Sequence, residues 1–372
     1  MRVLVAPDKF RGTLTAPQAA RAVQTGWLRA RRDDVVESVP MADGGEGTLE
    51  AMVDALGGRI ERARVHGPLG DPVDAPFGLV RSHEGLTAVV ELARASGLQL
   101  VSEERRDAVR ASTRGTGELI RAALAAEAVR VIVGIGGSAT TDGGAGIAQG
   151  LGVRLLDASG HPIPPGGAGL LQLARIDISG VDPSVRRVAF TVASDVDNPL
   201  TGPRGAARVF GPQKGASSDD VVLLDRALVH LAAVVMRDLA VDLRDEPGAG
   251  AAGGSGFGLM AFCGAKVRPG IEVVMEAVGF DRRLRDADLV ITGEGKLDEQ
   301  SMHGKTPDGV LRAALEAGVP VAIVCGRAEV ELPGIRVSSL VDRFGEERAM
   351  TDTRTALEEL AAELATEMGD RA

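Results

Sequence analysis

A chain of 372 residues with 44% hydrophobic and 25% charged residues has an ordinary globular composition, and its length exceeds what one hydrophobic core holds, so two domains are expected. Lys and Arg number 42 against 52 Asp and Glu, a formal net charge of −10 without a basic stripe, which argues against nucleic acid and anionic membranes as partners. Aromatics are 2%, with Trp27 the single tryptophan and no tyrosine, too few for a base-stacking platform.

The N-terminal segment MRVLVAPDKF has a short apolar run, less than the ~7–15 residues of a signal-peptide core. No stretch of about 18 apolar residues runs without charge, so no membrane span is expected and the protein is read as soluble and cytoplasmic. Arg2–Ala6 reads as a strand. Thr15-Ala16-Pro17-Gln18 is a capping box with Pro in the first turn, opening a helix to about Arg31. Strand Val35–Val39 follows, then a helix from Glu46 to Leu56 stopped by Gly57-Gly58. This alternation predicts a doubly wound parallel sheet.

After Gly58 the alternating runs Ile60–Val65, Phe77–Val80 and Thr87–Leu92 predict antiparallel sheet. A helix over Thr116–Ala128 leads into the apolar strand Val129–Ile135, a glycine-rich loop and another helix. Segments 152–156 and 187–193 read as strands, 219–239 as an amphipathic helix, and 248–258 as a glycine-rich, mobile flap. The first pattern then returns: strand Asp288–Thr292, helix Pro307–Ala317, strands Val319–Cys325 and Val337–Val341, and a charged helix over 351–368. The expected organisation is a doubly wound α/β domain from 1–66 and 282–372, interrupted by a second α/β domain of mixed sheet over 67–281. Ligand would bind in the cleft between them. Cys263 and Cys325 lack a companion His or metal spacing and read as reduced, buried thiols. His66, His83, His161, His230 and His303 are scattered, so zinc is not expected.

Five segments place Gly, acids and hydroxyls directly after a strand, where open α/β sheets bind ligands. PDKFRGT offers Asp8, Lys9, Arg11 and Thr13 as a substrate or phosphate clamp, or simply a capped loop. In MADGGEGT, Asp43 and Glu46 fit a helix cap, but Gly44, Gly45 and Gly47 suggest close approach of backbone to a ligand. GIGGSATTDGGAG (134–146) is the strongest signal. Gly136, Gly137, Ser138, Thr140 and Thr141 would form an anion cradle, with Asp142 holding a metal or a substrate hydroxyl. ASDVDNPLTG brings Asp195, Asp197 and Asn198, suited to Mg²⁺ or to a general base, or to an ordinary turn; Gln213 and Lys214 follow as phosphate contacts. ITGEGKLDEQSMHGKTP packs Glu294, Lys296, Asp298, Gln300, Ser301 and Lys305 into one loop. Its HGKT tail is not a Walker A motif, because Glu299 stands where the first Gly belongs. Gly248–Gly253 matches GxGxxG but follows Glu246-Pro247 rather than a strand, so dinucleotide binding is rejected. The inventory suits phosphoryl transfer to a small polar molecule, which needs charge neutralisation, a metal and an aligned hydroxyl. An isomerase or phosphatase acting on a phosphorylated acid, and a sugar-acid binding protein, are the rival readings.

The strings APDKFRGTLTA, VPMADGGEGT, GIGGSATTDGGAG, ASDVDNPLTG, FGPQKGA and DLVITGEGKLDEQSMHGKTP, in that order, resemble the type-1 glycerate kinase family. Arg11 stands where that family's first motif is expected to have Lys, which keeps the charge but changes the phosphate geometry. The resemblance implies ATP and Mg²⁺ as co-substrates, D-glycerate as acceptor, and 2-phospho-D-glycerate favoured over the 3-phosphate as product. It also implies a flavodoxin-like domain beside a second α/β domain. Within that frame Asp195, with Asp197 beside it, is expected as base or metal ligand. Lys9, Arg11 and Lys296 are expected to hold the glycerate carboxylate or the transferring phosphoryl group. A homo-oligomer is compatible with the sequence, which does not fix the oligomeric state.

Overall fold

The computed structural model describes residues 1–82 and 85–369; His83 lies outside them. Its strands are, in chain order, β1 (Arg2–Pro7), β2 (Val35–Ser38), β3 (Arg59–His66), β4 (Pro72–Ser82), β5 (Gly85–Glu91), β6 (Arg130–Gly134), β7 (Arg154–Leu156), β8 (Arg175–Asp177), β9 (Ala189–Ala193), β10 (Lys266–Arg268), β11 (Leu289–Leu297), β12 (Val321–Ala328) and β13 (Arg336–Ser339). The chain forms two compact units. One comprises Met1–Asp43, Gly47–Gly58 and Pro269–Ala372; the other comprises Gly44–Glu46 and Arg59–Arg268.

The first unit is a five-stranded, all-parallel sheet in the order β13-β12-β11-β1-β2. Read from the other edge this is 2-1-3-4-5, the flavodoxin-like order, with its switch point between β1 and β11. The central strands are buried along the first five residues of β11 and β12 and from Val3 onward in β1, as parallel strands covered on both faces must be, and β11 and β12 open toward their carboxyl ends. Helix Ala16–Ala30 starts at the expected box, Thr15 accepting from the Gln18 amide and Gln18 answering the Thr15 amide. Its buried stripe includes Ala19, Val23 and Trp27, and it lies against helix Thr353–Gly369. A Cβ on Gly26 would stand 2.0 Å from the Glu358 carbonyl oxygen, so only glycine permits that helix crossing. The helix expected to start at Glu46 begins at Thr48. Its N-cap is Gly47 at φ 98°, with no side-chain cap, so neither Asp43 nor Glu46 is the N-cap residue of this helix.

The second unit is a six-stranded mixed sheet, β10-β9-β6-β5-β4-β3. The antiparallel stretch read from the alternating runs is β3–β5; β5, β6, β9 and β10 are parallel. β3 joins this sheet through antiparallel pairing with β4, from Arg59↔Leu79 to His66↔Pro72. Segment 152–156 contributes only β7, which pairs with β8 in a separate ribbon.

The stretch 248–258 is not a flap. Most of it is the buried start of helix Ala251–Cys263, entered through left-handed backbone at Ala252, Gly253 and Gly254. Missing Cβ atoms permit backbone-on-backbone packing: a Cβ on Gly258 would sit 2.6 Å from Gly144 Cα, and one on Gly254 would sit 2.7 Å from Gly143 Cα. These glycines back the 134–146 loop, so the composition reflects tight packing rather than mobility. Cys325 is buried and Cys263 half-buried; both are free, and burial pushes both thiols up to about 12. Among the described residues no helix is long and apolar enough to cross a membrane.

Candidate active site

In the first unit, acids and hydroxyls meet at the switch point. Asp8 follows β1 and is 6% exposed. Its Oδ1 accepts the Lys9 main-chain N–H at 2.6 Å and lies 3.8 Å from Lys9 Nζ, while its Oδ2 accepts the Thr306 hydroxyl at 2.6 Å. Burial raises the Asp8 pKa; the Lys9 ammonium opposes this and the nearby charge of Asp43 adds to it. On the adjacent strand, burial pushes the Glu294 carboxyl up to about 7, and the charge of Asp8 adds to the shift. Glu294 Oε1 is buried with no hydrogen-bond partner among the described residues. Two neighbouring carboxyls whose charged forms are disfavoured are a functional-site signature.

Asp298 and Ser301 of that motif hold the loop in shape. Asp298 caps the turn Glu299–Met302 by accepting from the Ser301 amide at 3.1 Å, and the Ser301 hydroxyl answers the Asp298 amide at 3.0 Å. Lys296 is half-exposed and sits 2.9 Å from Glu329 and 3.4 Å from Asp298. Lys305 is the N-cap residue of helix Thr306–Glu316, and its charge draws the Glu294 pKa down. Arg11 is exposed and forms no ion pair among the described residues.

In the second unit, Gly44, Gly45 and the 134–146 loop meet at the carboxyl ends of β6 and β9. A Cβ on Gly44 (φ 84°) would stand 2.8 Å from the Ala193 carbonyl oxygen, and one on Gly136 would stand 3.2 Å from Gly45 Cα. Gly136 and Gly137 are exposed, and their amides have no acceptor among the described residues. Behind them the loop is buried. Lys214, 1% exposed, donates to Ser138 Oγ at 2.8 Å and to the Thr140 carbonyl at 2.5 Å. Burial pulls its ammonium down to about 7, and Asp142 opposes the shift. The Thr140 and Thr141 hydroxyls are buried without a partner among the described residues.

Asp142, expected to face a metal or a substrate, is completely buried. Its oxygens accept from the Thr113 amide (2.8 Å), the Thr113 hydroxyl (2.9 Å), the Gly146 amide (3.1 Å) and the Gly144 amide (3.2 Å). It ties the loop to the start of helix Ala145–Gly150. Asp195 and Asp197 are exposed after β9, and Asp197 is 3.1 Å from Arg204.

Three participants escaped the sequence reading. Thr306 and Thr113 are partners of Asp8 and Asp142 across 298 and 29 residues of chain. Glu91 is buried at the carboxyl end of β5 and bonds to Arg94 at 2.7 Å. The position of Glu91 at the end of the apolar run of β5 was the available signal, and Thr306 lay in the HGKT tail; for Thr113 none existed.

Asp8, Asp43 and Glu294 supply hard oxygen donors of the kind Mg²⁺ takes. Among the described residues no three acidic, His or Cys side chains converge closely enough to form a complete metal cage.

Residues 3–369 match the model of the glycerate kinase family. The chain is 52% identical over 326 residues to a glycerate kinase of Bacillus subtilis (strain 168), covering 88% of this chain and 85% of that one. It is 50% identical, with the same coverage, to glycerate 2-kinase of Escherichia coli (strain K12). A crystal structure from Salmonella typhimurium LT2, described as a glycerate kinase 2, superposes with a TM-score of 0.91 at 44% identity, over 100% of both chains. The chain belongs to the glycerate kinase family.

Proposed function

We propose that this protein transfers the γ-phosphoryl group of ATP to the 2-hydroxyl of D-glycerate, giving 2-phospho-D-glycerate and ADP, in the cytoplasm. The observation that carries the reading is the 50% identity, over 88% of the chain, to a relative named glycerate 2-kinase. The buried acid pair at the β1/β11 switch point supports it on physical grounds.

In this reading Glu294 is the general base. A carboxyl near pKa 7 with an unpartnered oxygen can accept the hydroxyl proton as the alcohol oxygen attacks the γ-phosphorus. The new P–O bond forms while the bond from the γ-phosphorus to the bridging oxygen breaks, and ADP leaves with that electron pair. Lys9, Lys305 and Lys296 hold anionic oxygens of the acceptor and the phosphoryl group. Exposed amides at Gly136 and Gly137, on the strut of Ser138, Thr140 and Lys214, form a second anion cradle. Asp142 and Asp298, engaged with protein donors, serve as loop organisers.

Asp8 and Asp43 would hold Mg²⁺. Bound there, it would neutralise phosphate charge during transfer. Asp195 and Asp197 form the second candidate set, supported by their place at the carboxyl end of β9. An Asp195→Asn variant decides between the sets, since wild-type turnover removes Asp195 from base and metal roles.

The test is purified protein with ATP, Mg²⁺ and D-glycerate, coupled to enolase and pyruvate kinase without phosphoglycerate mutase. Signal is expected. Signal only after adding the mutase would move the acceptor to the 3-hydroxyl, and silence with both would remove glycerate as the substrate.

A further inference from the structure

One helix of the second unit turns an apolar stripe to solvent. Helix Ser218–Leu239 is 22 residues long, and Leu224, Leu228, Leu231 and Val235 bury its inner face. A Cβ on Gly143 would stand 2.4 Å from Leu231 Cδ2 and 3.0 Å from Leu228 Cδ2, so this face is pinned against the 134–146 loop. The outer face of a surface helix ordinarily carries polar and charged residues. Here Val222, Val229 and Met236 recur every seven residues and stand 47%, 42% and 52% exposed, with Ala233 exposed between the last two.

Two segments flank this helix. The turn Gly167–Gln172 leads to Leu173, whose carbonyl oxygen lies 2.7 Å from His230 Nε2, and helix Ala206–Phe210 carries Arg208, 3.8 Å from Asp225. Each adds an exposed apolar side chain, Leu171 from the turn and Val209 from the helix. Five of the twelve large apolar side chains exposed among the described residues therefore gather on and beside one helix. An ordinary surface scatters such side chains singly, whereas a contiguous group marks an interaction surface.

The stripe complements a second copy of itself. Laid antiparallel across a two-fold axis at Val229, the second copy sets its Met236 against Val222 and its Val222 against Met236. Ala233 leaves room for the stem of Arg226 from the second copy, whose charged head stays in water. The helix carries acids in its first turn and Arg237 in its last. Asp219, which has no ion pair among the described residues, then comes within about half a turn of Arg237 of the second copy. A parallel pairing would instead set Asp219, Arg226 and Arg237 each at the height of its own copy, like charge beside like.

We propose that this protein forms a two-fold homodimer through helix Ser218–Leu239, paired antiparallel with Val229 on the axis.

The test is sedimentation equilibrium on the full chain. Wild type is expected at twice the mass of one chain at micromolar concentration. Val229→Glu, at an exposed position, brings two carboxylates together on the axis. It is expected to raise the dimer Kd about a hundredfold while the far-UV circular dichroism keeps its wild-type form. Mild oxidation reads the orientation, with wild type and its free Cys263 and Cys325 as the control. Val229→Cys is expected to cross-link to itself, and Val222→Cys only when mixed with Met236→Cys. A monomeric wild type overturns the proposal, as does a dimer that folded Val229→Glu leaves intact. A Val222→Cys protein that cross-links to itself overturns the antiparallel pairing.

Discussion

Glu294 and Lys214 face the same physics with opposite charge, since burial penalises the ionised form of each. For Glu294 the folded-state pKa, about 7, lies above the ordinary carboxyl value, so the folded state binds the proton more tightly. Its stabilising contribution is therefore present below the unfolded pKa and is lost as pH rises through 7. Glu294→Gln, which cannot ionise, should gain in Tm relative to wild type between pH 5 and 8; parallel thermal melts across that range check this. For Lys214 the folded pKa is depressed, so wild-type stability gains as pH rises from 7 toward the ordinary lysine value. Lys214→Met fills the site but leaves the Thr140 carbonyl and Ser138 without their buried donor. It should cost about 1–3 kcal/mol at pH 8 in urea unfolding. Both residues stood in sequence motifs, but their environments did not: the burial of Lys214 and the Thr306–Asp8 bond are products of the tertiary fold.

Among the elements, glycine-rich stretches were legible as special and misread as to why. The 134–146 loop was found because it follows an apolar strand directly, and the structure places it at the carboxyl end of β6. The stretch 248–258 shows the same glycine density without a preceding strand and was read as mobile. Its glycines are instead where one backbone lies on another, at Gly258 against Gly144 and Gly254 against Gly143. A Gly258→Ala change must push the loop away or fail to pack. It should destabilise by about 1–3 kcal/mol and lower kcat at 25 °C. Gly264→Ala, at a left-handed helix end with open space around the Cβ, should cost about 1 kcal/mol and leave kcat alone. Equal kcat losses in the two variants would refute the packing account. The same distinction explains Gly47, which at positive φ is the N-cap of a helix expected to start at Glu46.

At the scale of the whole molecule, the parallel sheet was legible because its strands are continuous apolar runs separated by helices. The antiparallel section was legible at β3, where exposure alternates along the strand, whereas β5 is a continuous buried run that also pairs parallel with β6. The strand order was not, since β1 and β11 are neighbours although nearly the whole chain lies between them. That pairing creates the switch point and brings Asp8 to Glu294, so the acid pair was visible as two motifs and invisible as one site. The central claim is that the buried carboxyl of Glu294, charged only above about pH 7, takes the acceptor proton. Its most direct test is the pH dependence of kcat/KM for D-glycerate in wild type and in Glu294→Gln, with Tm measured alongside. The account predicts a wild-type rate that rises through an apparent pKa near 7. In folded Glu294→Gln that limb should vanish and kcat should fall about 10²–10⁴-fold. A folded Glu294→Gln with wild-type kcat and an unchanged acid limb would contradict it.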